Sequence, residues 1–154
     1  MSVILYSYFR SSAAYRVRIA LNLKQIDYEI RPIHLLKDGG EQLKADYLAL
    51  NPQGRVPVLV VEGKVLTQSS AIIEYLEEVF PNPPLLPANA LERAYVRSIA
   101  QIVACDIHPL NNLRVLAYLK GSVNESDFEQ GWRIHWIQEG FAALEQLTRN
   151  NGYW

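Results

Sequence analysis

The 154-residue sequence contains a single cysteine, Cys105, and has no excess of charge of either sign. One cysteine excludes an internal disulfide framework and a cysteine-rich metal site, so we predict no metal centre. Fifteen Lys and Arg residues against sixteen Asp and Glu residues give a net charge of -1, which provides no general basic field for nucleic acid. No apolar run approaches the roughly 18 residues of a membrane span. We therefore expect neither a nucleic-acid nor a membrane partner.

The first residues also lack the features of a secretory signal. Residues 1–10 have no basic flank before their short apolar run and no small-residue cleavage site, so we expect a cytoplasmic protein. With 49% hydrophobic and 20% charged residues, the composition is that of a globular chain, which excludes disorder. In such a chain we expect Cys105 to be a small buried apolar residue.

Strand-like runs alternate with helical patterns over residues 1–80. A strand, a helix and a strand in succession predict a right-handed crossover between parallel strands. Hydroxyl residues at the starts of the first and third helices are typical of helix caps. The predicted strands are 3–8, 27–32 and a hairpin over 57–67 that turns at Glu62-Gly63, and the predicted helices are 11–24, 40–50 and 68–79. Their predicted apolar stripes are Ala13, Val17, Ala20 and Leu21 on the first helix, and Ile72, Tyr75, Leu76 and Val79 on the third.

The pattern changes after residue 80. Four prolines within residues 80–87 exclude regular structure, so we predict an extended linker over 81–87. Beyond it the pattern is helical only, with one helix interrupted at Pro109 and a second long helix. The predicted helical ranges are 91–107, 110–119 and 125–149. The sequence therefore predicts an α/β domain over 1–80 followed by an all-α domain over 88–154.

Four segments resemble those of a known family. Residues 6–21 (YSYFRSSAAYRVRIAL) resemble the signature of the zeta class of glutathione transferases. Residues 51–59 (NPQGRVPVL) and 68–76 (QSSAIIEYL) are similar to the family's two other glutathione motifs, and 106–116 (DIHPLNNLRVL) to its first C-terminal helix region. The resemblance implies a thioredoxin-like N-terminal domain followed by a helical glutathione-transferase C-terminal domain. That second domain is expected to be incomplete, because family chains continue through further helices.

The best-known activity of the zeta class is maleylacetoacetate isomerase, in tyrosine and phenylalanine catabolism. The resemblance implies glutathione as cofactor, maleylacetoacetate or a maleylpyruvate-like diacid as substrate, isomerisation by reversible thiolate addition, and a homodimer. Glutathione transfer to α-halo acids or other electrophiles is an alternative, as is a glutathione-binding or dimerising module without turnover. Alanine stands at residue 13, where the family usually has cysteine, but the implied mechanism needs no protein thiol.

The serine pair Ser11-Ser12 lies where a strand is predicted to turn into a helix. Free backbone N–H groups and the positive helix end favour an anion there. Lowering the pKa of a thiol from about 8.5 by two units takes roughly 2.7 kcal/mol. A helix end contributes about 0.3–1 kcal/mol, up to ~2 when partly buried. A hydroxyl that donates to the thiolate adds roughly 1.5–3 kcal/mol, so the two together suffice. From spacing alone, a plain helix cap is the more usual role of both serines, and the family motif around them favours the contact to sulfur.

The resemblance also implies the other site residues. Either serine is the catalytic contact to sulfur, a cis Val56–Pro57 bond presents the backbone of Val56, and Gln42 reaches the glycyl end of glutathione. The implied glutathione contacts are Ser11, Ser12, Ala13, Arg16, Gln42, Val56, Pro57, Gln68 and Ser69. The implied contacts to the diacid are Arg10, His108, Asn112 and Arg114. From spacing alone, these positions are also typical of caps, edge-strand starts and solvated side chains.

The last predicted helix carries apolar residues on several sides. They cannot all face one partner helix, and a contiguous exposed apolar patch is unusual for a monomer. We therefore expect the chain either to be part of a longer protein or to cover this surface by forming a homodimer. The residues concerned are Trp132, Trp136, Ile137, Phe141 and Leu144.

Overall fold

The computed structural model describes residues 2–122 and 128–149, which form two compact units that divide between residues 86 and 87. The predicted helical residues 125–127 lie outside the described ranges. Within those ranges, no helix combines the length and the apolar character that crossing a bilayer requires.

The first unit is built on a four-stranded sheet of β1 (Val3–Ser7), β2 (Glu29–Pro32), β3 (Val58–Val61) and β4 (Lys64–Thr67), in the spatial order β2-β1-β3-β4. β1 and β2 are parallel, which confirms the predicted pairing, and β3 pairs antiparallel with both β1 and β4. The hairpin turns at Glu62 and Gly63 as predicted, since both have a positive φ, of 49° and 79°. The α-helices of this unit are α1 (Ser12–Leu23) between β1 and β2, α2 (Ala45–Leu50) before β3, and α3 (Ser69–Val79) after β4.

The main core lies between the sheet and the two long helices α1 and α3. All four residues of the predicted α1 stripe are buried, and so are Ile72 and Leu76 of α3. Val79 is 42% exposed, so its predicted place in the α3 stripe is wrong: it is the last residue of the helix, where the chain turns into the linker. A second cluster contains Tyr8, Ala14, Tyr47, Val56 and Val58.

The prediction of one helix over residues 40–50 is wrong. The chain forms two short 3-10 turns, Lys37–Gly39 and Glu41–Leu43, before α2 begins. Gly40 separates the turns with a φ of 100°, a conformation that favours glycine. Lys44 then adopts an extended backbone, so the helical stretch is reduced to the six residues of α2.

The linker has neither helix nor strand, as predicted, and it is fixed to the first unit around an ion pair between the buried Lys24 and the half-buried Glu77. The Lys24 side chain is fully buried and its Nζ lies 2.6 Å from Oε2 of Glu77. The same Nζ donates to the carbonyls of Phe80 and Pro83 at 2.5 and 3.0 Å. Glu77 in turn accepts from the backbone N–H of Leu85 at 3.0 Å. One lysine and one glutamate thus join α1, α3 and the linker.

This pair makes the stability of the chain sensitive to acid. Burial by itself raises the pKa of Glu77. The hydrogen bonds from Lys24 and from the linker backbone lower it by more than burial raises it, so the pKa lies below its usual 4.5. A carboxyl with a lowered folded pKa stabilises above about 4.5 and loses that contribution as pH falls through the folded pKa. We expect Glu77→Gln to unfold about 1 kcal/mol more easily at pH 7.

The measurement is urea unfolding from pH 7 to pH 3. The gap between the wild type and Glu77→Gln should close as pH falls below about 4.5. Glu78→Gln, the same change at the exposed neighbouring position, is the control and should leave the stability at pH 7 unchanged within a few tenths of a kcal/mol. A gap that stays constant over this pH range contradicts the assignment.

The second unit is helical. The predicted interruption of the helix lies two residues later than Pro109: helical backbone continues through Pro109 to Leu110 and breaks at residues 111 and 112. The helix tolerates Pro109, which has no N–H to donate, in the first turn of the short helix α5 (His108–Leu110). The backbone before it widens into a π-helical segment, in which the N–H of His108 bonds to the carbonyl of Val103. The elements are α4 (Ala90–Gln101), the π-helical segment (Ile102–Ile107), α5 (His108–Leu110), α6 (Leu113–Ser122) and α7 (Phe128–Arg149).

No described residue of α7 is buried, which agrees with the expected apolar exposure of this helix. Ile137 and Phe141 are 39% and 53% exposed, whereas the indole of Trp132 donates to the carbonyl of Leu110 at 2.8 Å. Cys105 is exposed, so its predicted burial is wrong. The π-helical segment turns Ile107 into the interior and leaves Cys105 on its outer side.

Candidate active site

The register of the sheet brings four of the predicted site residues to one edge of the sheet. Ser7 pairs with Pro32, so the chain leaves β1 and β2 at the same end. β3 runs in the opposite direction and begins at that end, where Val58 faces both Tyr6 and Thr67. The segments that follow β1 and β2, precede β3 and follow β4 therefore meet there. They carry Ser11, Gln42, Val56 and Ser69.

The start of α1 carries the positive end of the helix dipole, with a hydroxyl group beside it. The N–H of Ser11 donates to the carbonyl of Tyr8 at 3.0 Å, and its Oγ accepts from the N–H of Ala14 at 3.2 Å, which confirms the predicted cap. Capping uses a lone pair of the oxygen, so the hydroxyl proton of Ser11 can still be donated to an anion. Ser12 is the exposed first residue of the helix, and no acidic residue lies in the first turn to neutralise the helix dipole.

The start of α3 lies against Arg16 of α1. The Nη2 of Arg16 donates to the Oγ of Ser69 at 2.9 Å, and Ser69 is only 6% exposed. The predicted hydroxyl cap of α3 is wrong, because the N-cap residue is Gln68, whose side chain makes no capping hydrogen bond. The Nε2 of Gln68 donates instead to Oε1 of Gln53 at 2.7 Å. The first N–H groups of α3 therefore receive no cap from the side chain of Gln68, and they lie next to the guanidinium group of Arg16. Together, the N–H groups and the positive charge favour binding of an anion.

The Val56–Pro57 bond is cis, as the resemblance implies, and both residues are buried. The carbonyl of the preceding residue, Arg55, accepts from the hydroxyl of Tyr47 at 2.7 Å and from Nδ2 of Asn51 at 2.8 Å. Burial, and secondarily the nearby Tyr6, raise the pKa of Tyr47, so its hydroxyl remains a donor. Sequence reasoning missed these two donors, although Asn51 lies within one of the motifs it quoted.

Gln42 lies in a 3-10 turn rather than on the predicted helix. Its Nε2 donates to the carbonyl of Leu35 at 3.2 Å, whereas its Oε1 is buried and has no hydrogen-bond partner among the described residues. A Cβ at Gly40 would lie 2.6 Å from this Nε2, so glycine there makes room for the amide. An unsatisfied buried acceptor fits a peptide-like ligand that donates an N–H group.

The remaining predicted contacts occupy different environments. Ala13 is buried in the first turn of α1, and Arg10 is exposed in the turn before it. His108, Asn112 and Arg114 belong to the second unit, where the Oδ1 of Asn112 accepts from the N–H of Arg114 at 3.2 Å. That bond is a helix-capping contact at the start of α6. Substrate contact by these four polar residues stays a prediction.

A mixed four-stranded sheet with two helices on one side and a cis-proline before the third strand defines a thioredoxin-like domain, here followed by a helical region. Residues 10–79 match the profile of the glutathione S-transferase N-terminal domain. The maleylacetoacetate isomerase of Pseudomonas aeruginosa is 52% identical over 150 residues, which are 97% of this chain and 71% of that protein.

Two solved structures are similar over the same extent. A maleylpyruvate isomerase described as a bacterial zeta-class glutathione transferase superposes with a TM-score of 0.92 at 47% identity, covering 97% of this chain and 70% of that one. A maleylacetoacetate isomerase from Methylobacterium extorquens, with bound malonate and glutathione, gives a TM-score of 0.90 at 44% identity and the same coverage. The chain belongs to the zeta class of glutathione transferases, the family of the maleylacetoacetate and maleylpyruvate isomerases.

Proposed function

We propose that the chain is a glutathione-dependent cis–trans isomerase that converts maleylacetoacetate, or a maleylpyruvate-like diacid, to its fumaryl isomer, in the catabolism of tyrosine and phenylalanine. The observation that carries the proposal is the meeting of two helix starts at one sheet edge. Ser11 caps α1, Ser69 is the first residue of α3, and Arg16 of α1 donates a 2.9 Å hydrogen bond to Ser69. Two anion-favouring ends side by side fit a ligand with a thiolate and a carboxylate.

Bound glutathione supplies a thiolate that adds reversibly to the cis double bond, allows rotation, and leaves again. The chain's own part is to keep that sulfur ionised, and Ser11 is placed to do so because its hydroxyl proton is not used by the cap. Arg16 and the first turn of α3 hold the γ-glutamyl carboxylate, with the Ser69 hydroxyl as donor. Gln42 accepts from the glycyl end through its unsatisfied Oε1. Arg10 faces solvent beside Ser11 and offers a positive charge to a carboxylate of the substrate.

The proposal includes a cytoplasmic homodimer. The cytosol maintains a reduced glutathione pool, which an enzyme using the free thiol requires. The exposed apolar side chains of α7 supply surface that a second copy can cover.

The test is turnover with maleylacetone, a substrate analogue, in the presence of glutathione. We expect formation of the trans product well above the rate with glutathione alone. Ala13→Cys should leave this rate nearly unchanged, since the proposed chemistry uses no protein thiol. Glutathione binding without turnover would favour a binding module, and conjugation of α-halo acids without isomerisation would favour an ordinary transferase.

A further inference from the structure

Asn51 is a buried residue whose side-chain amide both donates and accepts a hydrogen bond within the loop between α2 and β3. It is 2% exposed and follows α2 directly. Its Nδ2 donates to the carbonyl of Arg55 at 2.8 Å, and its Oδ1 accepts from the N–H of Gln53 at 3.1 Å. Only a side chain that donates and accepts in this geometry satisfies both groups, which an aspartate does not.

The carbonyl of Arg55 is held twice. Besides Asn51, the hydroxyl of the buried Tyr47 donates to it at 2.7 Å, so two donors occupy its two lone pairs. The peptide between Arg55 and Val56 is planar and trans, so its C=O and N–H point in opposite directions. Fixing the carbonyl therefore fixes the N–H of Val56 as well, and directs it away from Asn51 and Tyr47.

The same loop is coupled to the start of α3. Asn51 holds the backbone of Gln53, and the side chain of Gln53 accepts the hydrogen bond of Gln68 at 2.7 Å. The buried amide of Asn51 thus holds the backbone before Val56 in place, and it also positions Gln53, which contacts the N-cap residue of α3. Val56 and Gln68 are both among the contacts to glutathione that the family resemblance implies.

We propose that Asn51 and Tyr47 are positioning residues for glutathione, which fix the Val56 backbone and the Gln53–Gln68 pair before the tripeptide binds. This inference rests on the proposed function. A binding group held in place in the free protein loses less entropy when the ligand arrives, so the loss of either donor weakens binding. A merely structural role lowers stability and leaves the affinity of the folded protein unchanged.

The experiment measures the glutathione Kd by calorimetry at a temperature where circular dichroism shows each variant to be folded. Tyr47→Phe removes only the hydroxyl, and we expect its Kd to rise roughly fivefold to tenfold, which is what one hydrogen bond contributes. Asn51→Asp sets an oxygen against the carbonyl of Arg55 and should raise the Kd further. For both, kcat at saturating glutathione should stay within about twofold, because Ser11 is untouched.

Matched controls make the same changes at the far end of α1. Tyr28→Phe and Asn22→Asp alter a solvent-exposed hydrogen bond, in which the hydroxyl of the half-buried Tyr28 donates to the amide oxygen of the exposed Asn22 at 3.3 Å. The Kd of both variants should equal that of the wild type. A Tyr47→Phe protein that is less stable but binds with the wild-type Kd overturns the proposal, whether or not Asn51→Asp folds. Failure of the wild type itself to bind glutathione overturns the proposed function, so the two failures are distinct.

Discussion

Ser11→Ala is expected to lower kcat about 10- to 100-fold at pH 7, which corresponds to the loss of one hydrogen bond to a charged group. Without that donor the pKa of the bound thiol rises, so a smaller fraction of it is thiolate. The deficit should therefore shrink as the pH is raised, because hydroxide then removes the proton without help. The fold should remain, since the loss of a helix cap costs only about 1 kcal/mol.

Asn89→Ala is the matched control for the lost cap. Asn89 caps α4 and accepts from the N–H groups of Leu91 and Glu92 at 2.8 and 3.2 Å. Its removal should lower the stability by a similar amount and leave kcat unchanged. Steady-state rates from pH 6 to pH 9 and urea unfolding of both variants provide the comparison. If Ser11→Ala keeps full activity at pH 7, then Ser12 or the helix end alone activates the sulfur.

Local signals predicted the elements that place the site. The Ser11 cap, the Glu62-Gly63 turn and the prolines of the linker each depend on neighbours within a few residues, and each is present in the structure. The ends of the strands follow from such signals, and once the strands pair, the segments after them must meet at one edge. For this reason the segments that carry the predicted glutathione contacts of the first unit lie at one edge of the sheet, although no motif states the register.

The contacts that support the site were not predictable in the same way. Arg16 and Ser69 are 53 residues apart and Lys24 and Phe80 are 56 apart, so their pairing depends on how α1 and α3 pack. The sequence indicated no role for Asn51 beyond its place in the 51–59 motif, because its two partners come together only when the loop has formed. The break at Gly40 had a visible signal, since two consecutive glycines oppose a continuous helix.

Gly140→Ala is expected to destabilise the second unit by about 1–3 kcal/mol, as overpacking of a buried contact does. A Cβ at residue 140 would lie 2.3 Å from Cγ1 and 2.5 Å from Cδ1 of Ile107, a residue that is only 7% exposed. The absence of a side chain at Gly140 is what allows α7 to approach the π-helical segment. The clash outweighs the preference of a helix for alanine over glycine, about 1 kcal/mol.

Gly131 lies in the same helix and supplies the control, because a Cβ there meets no atom of the described residues within 4 Å, apart from the helix's own backbone. Gly131→Ala should therefore stabilise by about 0.5–1 kcal/mol, so the same substitution has opposite signs at two positions of α7. In an Ile107→Ala background, which removes both clashing atoms, Gly140→Ala should become neutral or stabilising. Urea unfolding of the wild type, Gly140→Ala, Ile107→Ala and the double variant measures this coupling directly, and Gly131→Ala is measured beside them. If Gly140→Ala stabilises the wild-type background as Gly131→Ala does, then α7 does not depend on close contact with Ile107.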